Sequence, residues 1–303
     1  MEKRVFGKTG ASISVLGFGG APVGYLGTER QQAKQLLNQL LDEGLNLIDT
    51  AASYRGSEEL IADAVGHRRD EYFLVSKCGS ALDDISAPEW SGSLVSQTVD
   101  RSLRRLRTDR LDLMLLHSCP LETLQQGDVL AALVAARDAG KIRFVGYSGD
   151  NEAAAFATSL PDVAVVQTSI NLADQHNLEV VLPPARQHQV GIMAKRPLAN
   201  AAWKDLSQQR GIYREYAKDY TARLTAMKLD PAQLGASSWG ELALRFTLSQ
   251  PGVTTAIVGT TNPANARANA EAAAKGPLPA DVVARIREAF DRANPRRDWI
   301  GLT

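Results

Sequence analysis

Cysteine is nearly absent from this chain: Cys78 and Cys119 are the two in 303 residues. Neither stands at a metal-ligand spacing from histidine or from the other, so no metal centre is expected. The pair reads as two buried small hydrophobes in a reducing compartment, with a redox-sensitive pair near the functional site as the alternative. An excess of charge of one sign is also missing. Lys plus Arg number 34 and Asp plus Glu number 34, which leaves no electrostatic reason to expect nucleic acid or an anionic membrane as a partner. No apolar run approaches the roughly 18 residues of a membrane helix, and the opening MEKRVFGKTG turns polar before a secretory core can form, so a cytoplasmic protein is expected. The last absence is a dinucleotide fingerprint. Gly17-Phe18-Gly19-Gly20 runs into Ala21-Pro22, and no G-x-G-x-x-G opens a helix after the first strand, which makes a Rossmann sheet the weaker reading.

What is present is a regular alternation. With 44% hydrophobic residues the chain can bury a large core, and because α/β barrels commonly occupy about 250 residues, one domain over 1–303 is expected. RVFGKTGASISVLGFGG reads as a short hairpin around Gly7-Lys8-Thr9-Gly10 followed by a first strand. A helix opens at Thr28 or Glu29 and closes at Gly44, where a glycine just past a helix end belongs. The strand-like runs LNLID, YFLVSK, LDLMLLH, IRFVGYS, VAVVQTS, VGIMAK and TTAIVG come next, each followed by a helical segment, one of them interrupted at Pro183-Pro184. Eight strands of near-continuous Val, Ile and Leu, alternating with helices, indicate a parallel sheet covered by helices. Two stretches break the alternation. Residues 199–235, with Trp203, Tyr213, Tyr216 and Tyr220, read either as a loop forming a wall of the substrate pocket or as an amphipathic helix whose aromatics pack on the sheet. The tail from Pro295, with Arg296, Arg297 and Trp299, reads as a disordered end or a short flap.

Chemistry-bearing residues fall where strand-like runs end: Asp49 and Tyr54 after LNLI, Lys77 closing YFLVSK, His117 closing LDLMLLH. Each alone has a bland reading: Asp49 as a helix cap, Tyr54 as a packing aromatic, Lys77 as a solvated strand end, His117 as a structural histidine. Together, at the ends of three successive strands, they supply a proton donor, a cation to acidify it, a carboxylate to keep the cation charged, and an imidazole to orient a carbonyl. That combination points to carbonyl chemistry at the carboxyl mouth of a barrel.

At these residues the chain resembles the aldo-keto reductases, along nearly its whole length. DTAASY (49–54), VSKCG (75–79) and LDLMLLH (111–117) are similar to the family's catalytic segments, and GKIRFVGYS, QTSIN, RPL and PGVTTAIVGTTNPANARAN to later ones. The resemblance implies a (β/α)8 barrel whose bottom is closed by an amino-terminal β-hairpin. It implies reversible hydride transfer from a nicotinamide cofactor to an aldehyde or ketone, with Tyr54 protonating the oxygen. Around the nicotinamide it places Gly20, Asp49, Ser148 and Gln167, with Gly149 where relatives often have Asn. Lys195 stands where many relatives stack an aromatic, so Lys195 or Arg196 is expected to face the diphosphate, and Pro197 and Leu198 are placed with them among the cofactor-binding residues. Gly259, Thr260, Thr261, Asn265 and Asn269 occupy the adenosine segment. The cations with which relatives clamp a 2′-phosphate are missing near Gly259 and Asn265, Arg267 being the cation at hand. The resemblance favours NADPH, with NADH as the alternative, and a pocket lined by Tyr25, Tyr54, Trp90 and His117. The leading expectation is a monomeric carbonyl reductase acting on a small aldehyde, ketone or sugar. An NAD-linked sugar or alcohol dehydrogenase is the runner-up, and a cofactor-sensing regulatory subunit is the reading from another class.

Overall fold

A computed structural model describes residues 1–25, 30–209 and 213–302. Strands β1 (Lys3–Val5) and β2 (Ser12–Ser14) pair antiparallel around a 3-10 turn at Gly7–Thr9. Eight parallel strands then close on themselves in chain order: β3 (Leu16–Gly19), β4 (Leu47–Asp49), β5 (Phe73–Cys78), β6 (Leu111–His117), β7 (Ile142–Ser148), β8 (Val163–Ser169), β9 (Gly191–Lys195) and β10 (Val253–Val258), which pairs back with β3. The expected (β/α)8 barrel and its hairpin are both present.

Helices α1 (Ala21–Tyr25), α2 (Arg30–Asp42), α3 (Ser57–Val65), α4 (Gly92–Leu106), α5 (Leu121–Gln126) and α6 (Asp128–Asp138) accompany the first half. The second half carries α7 (Asn151–Ser159), α8 (His176–Val180), α9 (Leu182–Gln187), α10 (Tyr213–Met227), α11 (Trp239–Leu248), α12 (Pro263–Ala274) and α13 (Ala280–Ala293). Their ends follow local chemistry. Ser91 and Ser238 cap α4 and α11 by accepting from the amides of Leu94 and Glu241, and Asn262 followed by Pro263 starts α12. Gly44 adopts φ 89° just past α2. The proposed helix start at Thr28 or Glu29 lies outside the described residues. Pro183 and Pro184 fall in the first turn of α9, so the expected interruption becomes a break between α8 and α9 at Val181.

The alternation of strand side chains separates two cores. Odd positions such as Leu47, Val75, Leu115, Val165 and Met193 meet inside the barrel with Phe6 and Ile13 of the hairpin, which plugs its bottom. Even positions such as Ile48, Leu74, Met114, Val166 and Ile192 join the helices in the outer core. The hairpin seats closely: the Lys8 amide donates to the Gln189 carbonyl (2.7 Å), and a Cβ on Gly7, at φ 49°, would come 2.2 Å from the Gly191 nitrogen.

Two features differ from the sequence reading, and a third decides between its alternatives. Helices α1, α5 and α13 were not anticipated, although Val282, Ile286, Ala289 and Phe290 give α13 a buried face at helical spacing. Residues 199–235 contain α10, preceded by two short 3-10 turns (Ala199–Ala201 and Leu206–Gln208) and followed by one (Ala232–Leu234); Trp203 stacks on Trp239 (6.0 Å, 9°) and Tyr220 is fully buried, so these two aromatics pack on the barrel. The described part of the tail is neither disordered nor a free flap. Trp299 packs edge-on against Phe290 and lies under the Arg223 guanidinium, Gly301 exchanges two hydrogen bonds with Asn151, and the Leu302 amide donates to Asp174.

Candidate active site

The period-two rule that fills the barrel also builds its mouth. Two residues beyond the interior Leu47, Val75, Leu115, Val165 and Met193 come Asp49, Lys77, His117, Gln167 and Lys195, and Ser148 stands two beyond Gly146. Strand register puts His117, Ser148 and Gln167 level and steps the earlier residues by two per strand, Asp49 lying opposite Val75 and Lys77 opposite Leu115. Six polar side chains from six strands therefore converge at the carboxyl end.

Lys77 and Asp49 form a buried ion pair, Nζ to Oδ2 2.7 Å, at 1% and 4% exposure. Lys77 also donates to the Thr50 carbonyl (2.8 Å), and Asp49 Oδ1 accepts from Gln167 Nε2 (3.0 Å). The Gln167 amide oxygen in turn accepts from Ser148 Oγ (2.9 Å), so the network crosses the barrel from β5 to β7. Burial pushes the Asp49 carboxyl up and the Lys77 ammonium down, and each is offset by the charge of the other. Such a pair holds because each charge faces the other and both carry a further hydrogen bond, Lys77 to the Thr50 carbonyl and Asp49 from Gln167.

Tyr54 lies five residues past Asp49, its amide bonded to the Ala51 carbonyl. Its ring meets His117 edge-on at 5.8 Å and Tyr25 at 5.4 Å, and Lys77 Nζ stands 5.0 Å from the ring centroid. The four residues singled out from the sequence are thus brought together. The expected acidification is not: burial, reinforced by Asp49, pushes the Tyr54 phenol well above its ordinary range. The physical reason is that burial of the phenol beside the Asp49 carboxylate disfavours the phenolate by more than nearby cations such as Arg196 favour it. Burial, with the charges of Lys77 and Lys195, holds His117 well below its ordinary pKa, so its imidazole is neutral at physiological pH.

The other sequence candidates are placed unevenly. Lys195 does not turn outward; its Nζ pairs with buried Asp150 (3.0 Å). Although burial opposes ionisation, Lys195 and donors from Ser169 and Thr168 keep the Asp150 carboxylate below its usual range. Arg196 donates to the Leu302 carbonyl, and the Pro197 carbonyl accepts from Thr247 Oγ1. Leu198 is half-buried and packs on the outer core. Gly20 is required by packing as well, since a Cβ there would come 2.5 Å from Ser57 Oγ. A Cβ on Gly149 would meet the Tyr147 ring at 2.4–2.7 Å, which accounts for glycine at that position. Gly259, Thr260 and Thr261 form the exit of β10, and Asn265 and Asn269 lie on the first turns of α12. Tyr25 is 41% exposed beside Tyr54, whereas Trp90 lies on Gly79, where a Cβ would come 2.1 Å from the indole. Among the described residues, the rings in contact with Tyr54 are those of Tyr25 and His117. Residues that sequence reasoning missed include Asp150, directly after β7, and Arg101 on α4; the position of Asp150 at a strand exit was the available signal.

A profile of the Aldo/keto reductase family matches residues 15–291. The chain belongs to the aldo-keto reductase family. It is 30% identical over 288 residues to the uncharacterized oxidoreductase YqkF of Bacillus subtilis (strain 168), covering 90% of this chain and 91% of that one. L-galactose dehydrogenase of Arabidopsis thaliana is 29% identical over 158 residues, 49% of each chain. The fold is shared with aldo-keto reductase AKR11C1 of Bacillus halodurans in its holo form, at TM-score 0.81 and 24% identity over 95% of this reductase and 96% of that one. Membership makes the chain an oxidoreductase of a family that uses nicotinamide cofactors on small carbonyl compounds. No described helix of the reductase is long and apolar enough to cross a membrane.

Proposed function

We propose that this reductase converts aldehydes or ketones to alcohols with NADPH, Tyr54 giving the proton. The observation that supports the reading most is the convergence of a protonated phenol, a neutral imidazole and a buried Lys–Asp pair at one mouth. The mouth also has donors that suit a polar cofactor: Asn171 Nδ2 and Asn200 Nδ2, at the exits of β8 and β9, are buried without partners. Ser148 and Gln167 fit a carboxamide, and Gly259 to Asn269 fit the adenosine end. The cofactor's part is a hydride for the carbonyl carbon.

His117 offers one N–H to the carbonyl oxygen and holds it near Tyr54. Because the phenol stays protonated through neutral pH, it has a proton to give as negative charge builds on that oxygen. The phenolate left behind is compensated by the Lys77 ammonium beneath the ring, and Asp49 keeps that ammonium charged and fixed.

An NAD-linked sugar dehydrogenase is favoured by one specific observation: between 259 and 269 the sole cation is Arg267, exposed on α12. The similarity to L-galactose dehydrogenase points the same way. Initial rates of NADPH and NADH oxidation with 4-nitrobenzaldehyde separate the readings. Faster turnover with NADPH is expected, and Tyr54→Phe should lower it about 100-fold or more while cofactor affinity is kept. Near-normal turnover by Tyr54→Phe removes the proton-donor role, and cofactor binding without turnover in the unmodified protein moves the reading to a regulatory subunit.

A further inference from the structure

Tyr54 sits on a loop, and a proton donor on a loop must be held from outside to keep its place. The backbone of Ala52, two residues before it, is pinned on both sides. Its amide donates to the carbonyl of Lys77 (3.2 Å), and its carbonyl accepts from Arg101 Nη1 (3.0 Å). Arg101 belongs to α4, in the layer outside the barrel, and is 7% exposed. Its Nε donates to Asp84 Oδ2 (2.7 Å), and Nη1 lies 3.8 Å from Glu58 Oε2 at the start of α3. Glu58 is 1% exposed and donates no structure of its own to the mouth; its Oε1 accepts from Ser76 Oγ next to Lys77, and its Oε2 has no hydrogen-bond partner. Asp84 belongs to the segment between β5 and α4, and its neighbour Asp83 pairs with Arg55, directly after Tyr54 (3.2 Å).

We infer that Arg101 is a positioning residue for Tyr54, and that it links the tyrosine loop to the 79–90 segment flanking the mouth. A planar guanidinium is needed because it must satisfy a carbonyl with one nitrogen while a different nitrogen holds Asp84 and its charge faces Glu58. Arg101 touches neither substrate nor cofactor; it acts through the Ala52 carbonyl. A shift of about 1 Å in the phenol is enough to cost roughly 100-fold in turnover, so a fixed loop matters more to the proton donor than to binding. A buried arginine serving packing alone predicts loss of folded protein and unchanged turnover per intact site.

The inference rests on Tyr54 being the proton donor, so Tyr54→Phe is measured beside the test variants. Arg101→Met keeps the aliphatic stem and removes the fork; Arg101→Lys keeps the charge with a single nitrogen; Asp84→Asn frees the outer end from a half-exposed position that leaves the core intact. Turnover is expressed per cofactor-binding site, titrated by quenching of protein fluorescence with NADPH. For Arg101→Met, kcat per site is expected to fall about 10- to 100-fold, with KM for aldehyde and Kd for NADPH within about twofold. The solvent isotope effect on kcat rises as proton transfer becomes limiting, and Arg101→Lys recovers part of the rate. If Arg101→Met yields no folded protein, Asp84→Asn carries the test, with a smaller fall of kcat and the same rise in isotope effect. Unchanged kcat per site and isotope effect in every variant that folds overturn the positioning role, provided Tyr54→Phe is inactive. An active Tyr54→Phe overturns the functional reading on which it rests.

Discussion

Asp174 offers a stability measurement whose size and sign follow from its surroundings. It is fully buried in the turn after β8; Oδ2 accepts from the Tyr220 hydroxyl (2.8 Å) and the Leu302 amide (3.2 Å), and Oδ1 has no partner. Burial, with the charge of Asp150, pushes its pKa from 3.8 up to about 7, against the pull of Tyr220, the Leu302 amide and Arg223. Between these two values the folded protein keeps a proton that the unfolded chain has released, so stability falls as pH rises from about 4 to about 7. The favourable contribution is complete below the unfolded pKa and lost above the folded one. A rise of this size corresponds to about 4 kcal/mol. Asp174→Asn cannot ionise and resembles the protonated acid, because its amide nitrogen takes the place of an Oδ1 hydroxyl that is likewise without a partner. The variant should therefore be close to the parent in stability at pH 4 and more stable than it at pH 8. Urea unfolding of both proteins from pH 4 to 8, with far- and near-ultraviolet dichroism required to coincide, gives the difference in unfolding free energy. Titrating groups that do not interact with Asp174 cancel in that difference. A difference that stays flat across the range refutes the assignment of the raised pKa to Asp174.

Two further outcomes are expected. Asn265→Arg should tighten NADPH about tenfold relative to NADH, by one charge-assisted hydrogen bond to a 2′-phosphate; an unchanged ratio of dissociation constants, measured by fluorescence titration, places the adenosine end elsewhere. Cys78 and Cys119 are buried at 3% and 1% exposure, and burial pushes both thiols up, Cys119 to about 12. Native protein should leave both unreactive to a thiol reagent at pH 8 and release them on denaturation, whereas a fast-reacting native thiol would restore the redox-pair reading.

Much of the fold was legible because it is written in local pattern. Strand-like runs such as LDLMLLH and VAVVQTS became β6 and β8 almost residue for residue, since a strand buried on both sides can be little else than a continuous apolar run. Helix α13 was overlooked although its buried face is regular, and α1 and α5 are too short to carry a period. The tail was misread because its order comes from partners distant in sequence: Asn151, Asp174 and Arg223.

For the site, the sequence by itself determined which residues stand at the mouth. A side chain two positions beyond an interior leucine or valine, at a strand's carboxyl end, points into the barrel, and Asp49, Lys77 and His117 obey that rule without further information. What each residue does once there was decided by the tertiary structure. Lys195 found Asp150 rather than an anion in solution, and Lys77 came to rest over the Tyr54 ring with Asp49 as its partner, while burial beside the Asp49 carboxylate raised the phenol's pKa instead of lowering it. Arg101 reached the tyrosine loop from a helix 47 positions away in sequence. Period and strand length are properties of neighbours along the chain; charge pairing and desolvation depend on neighbours in space, which only closure of the barrel brings together.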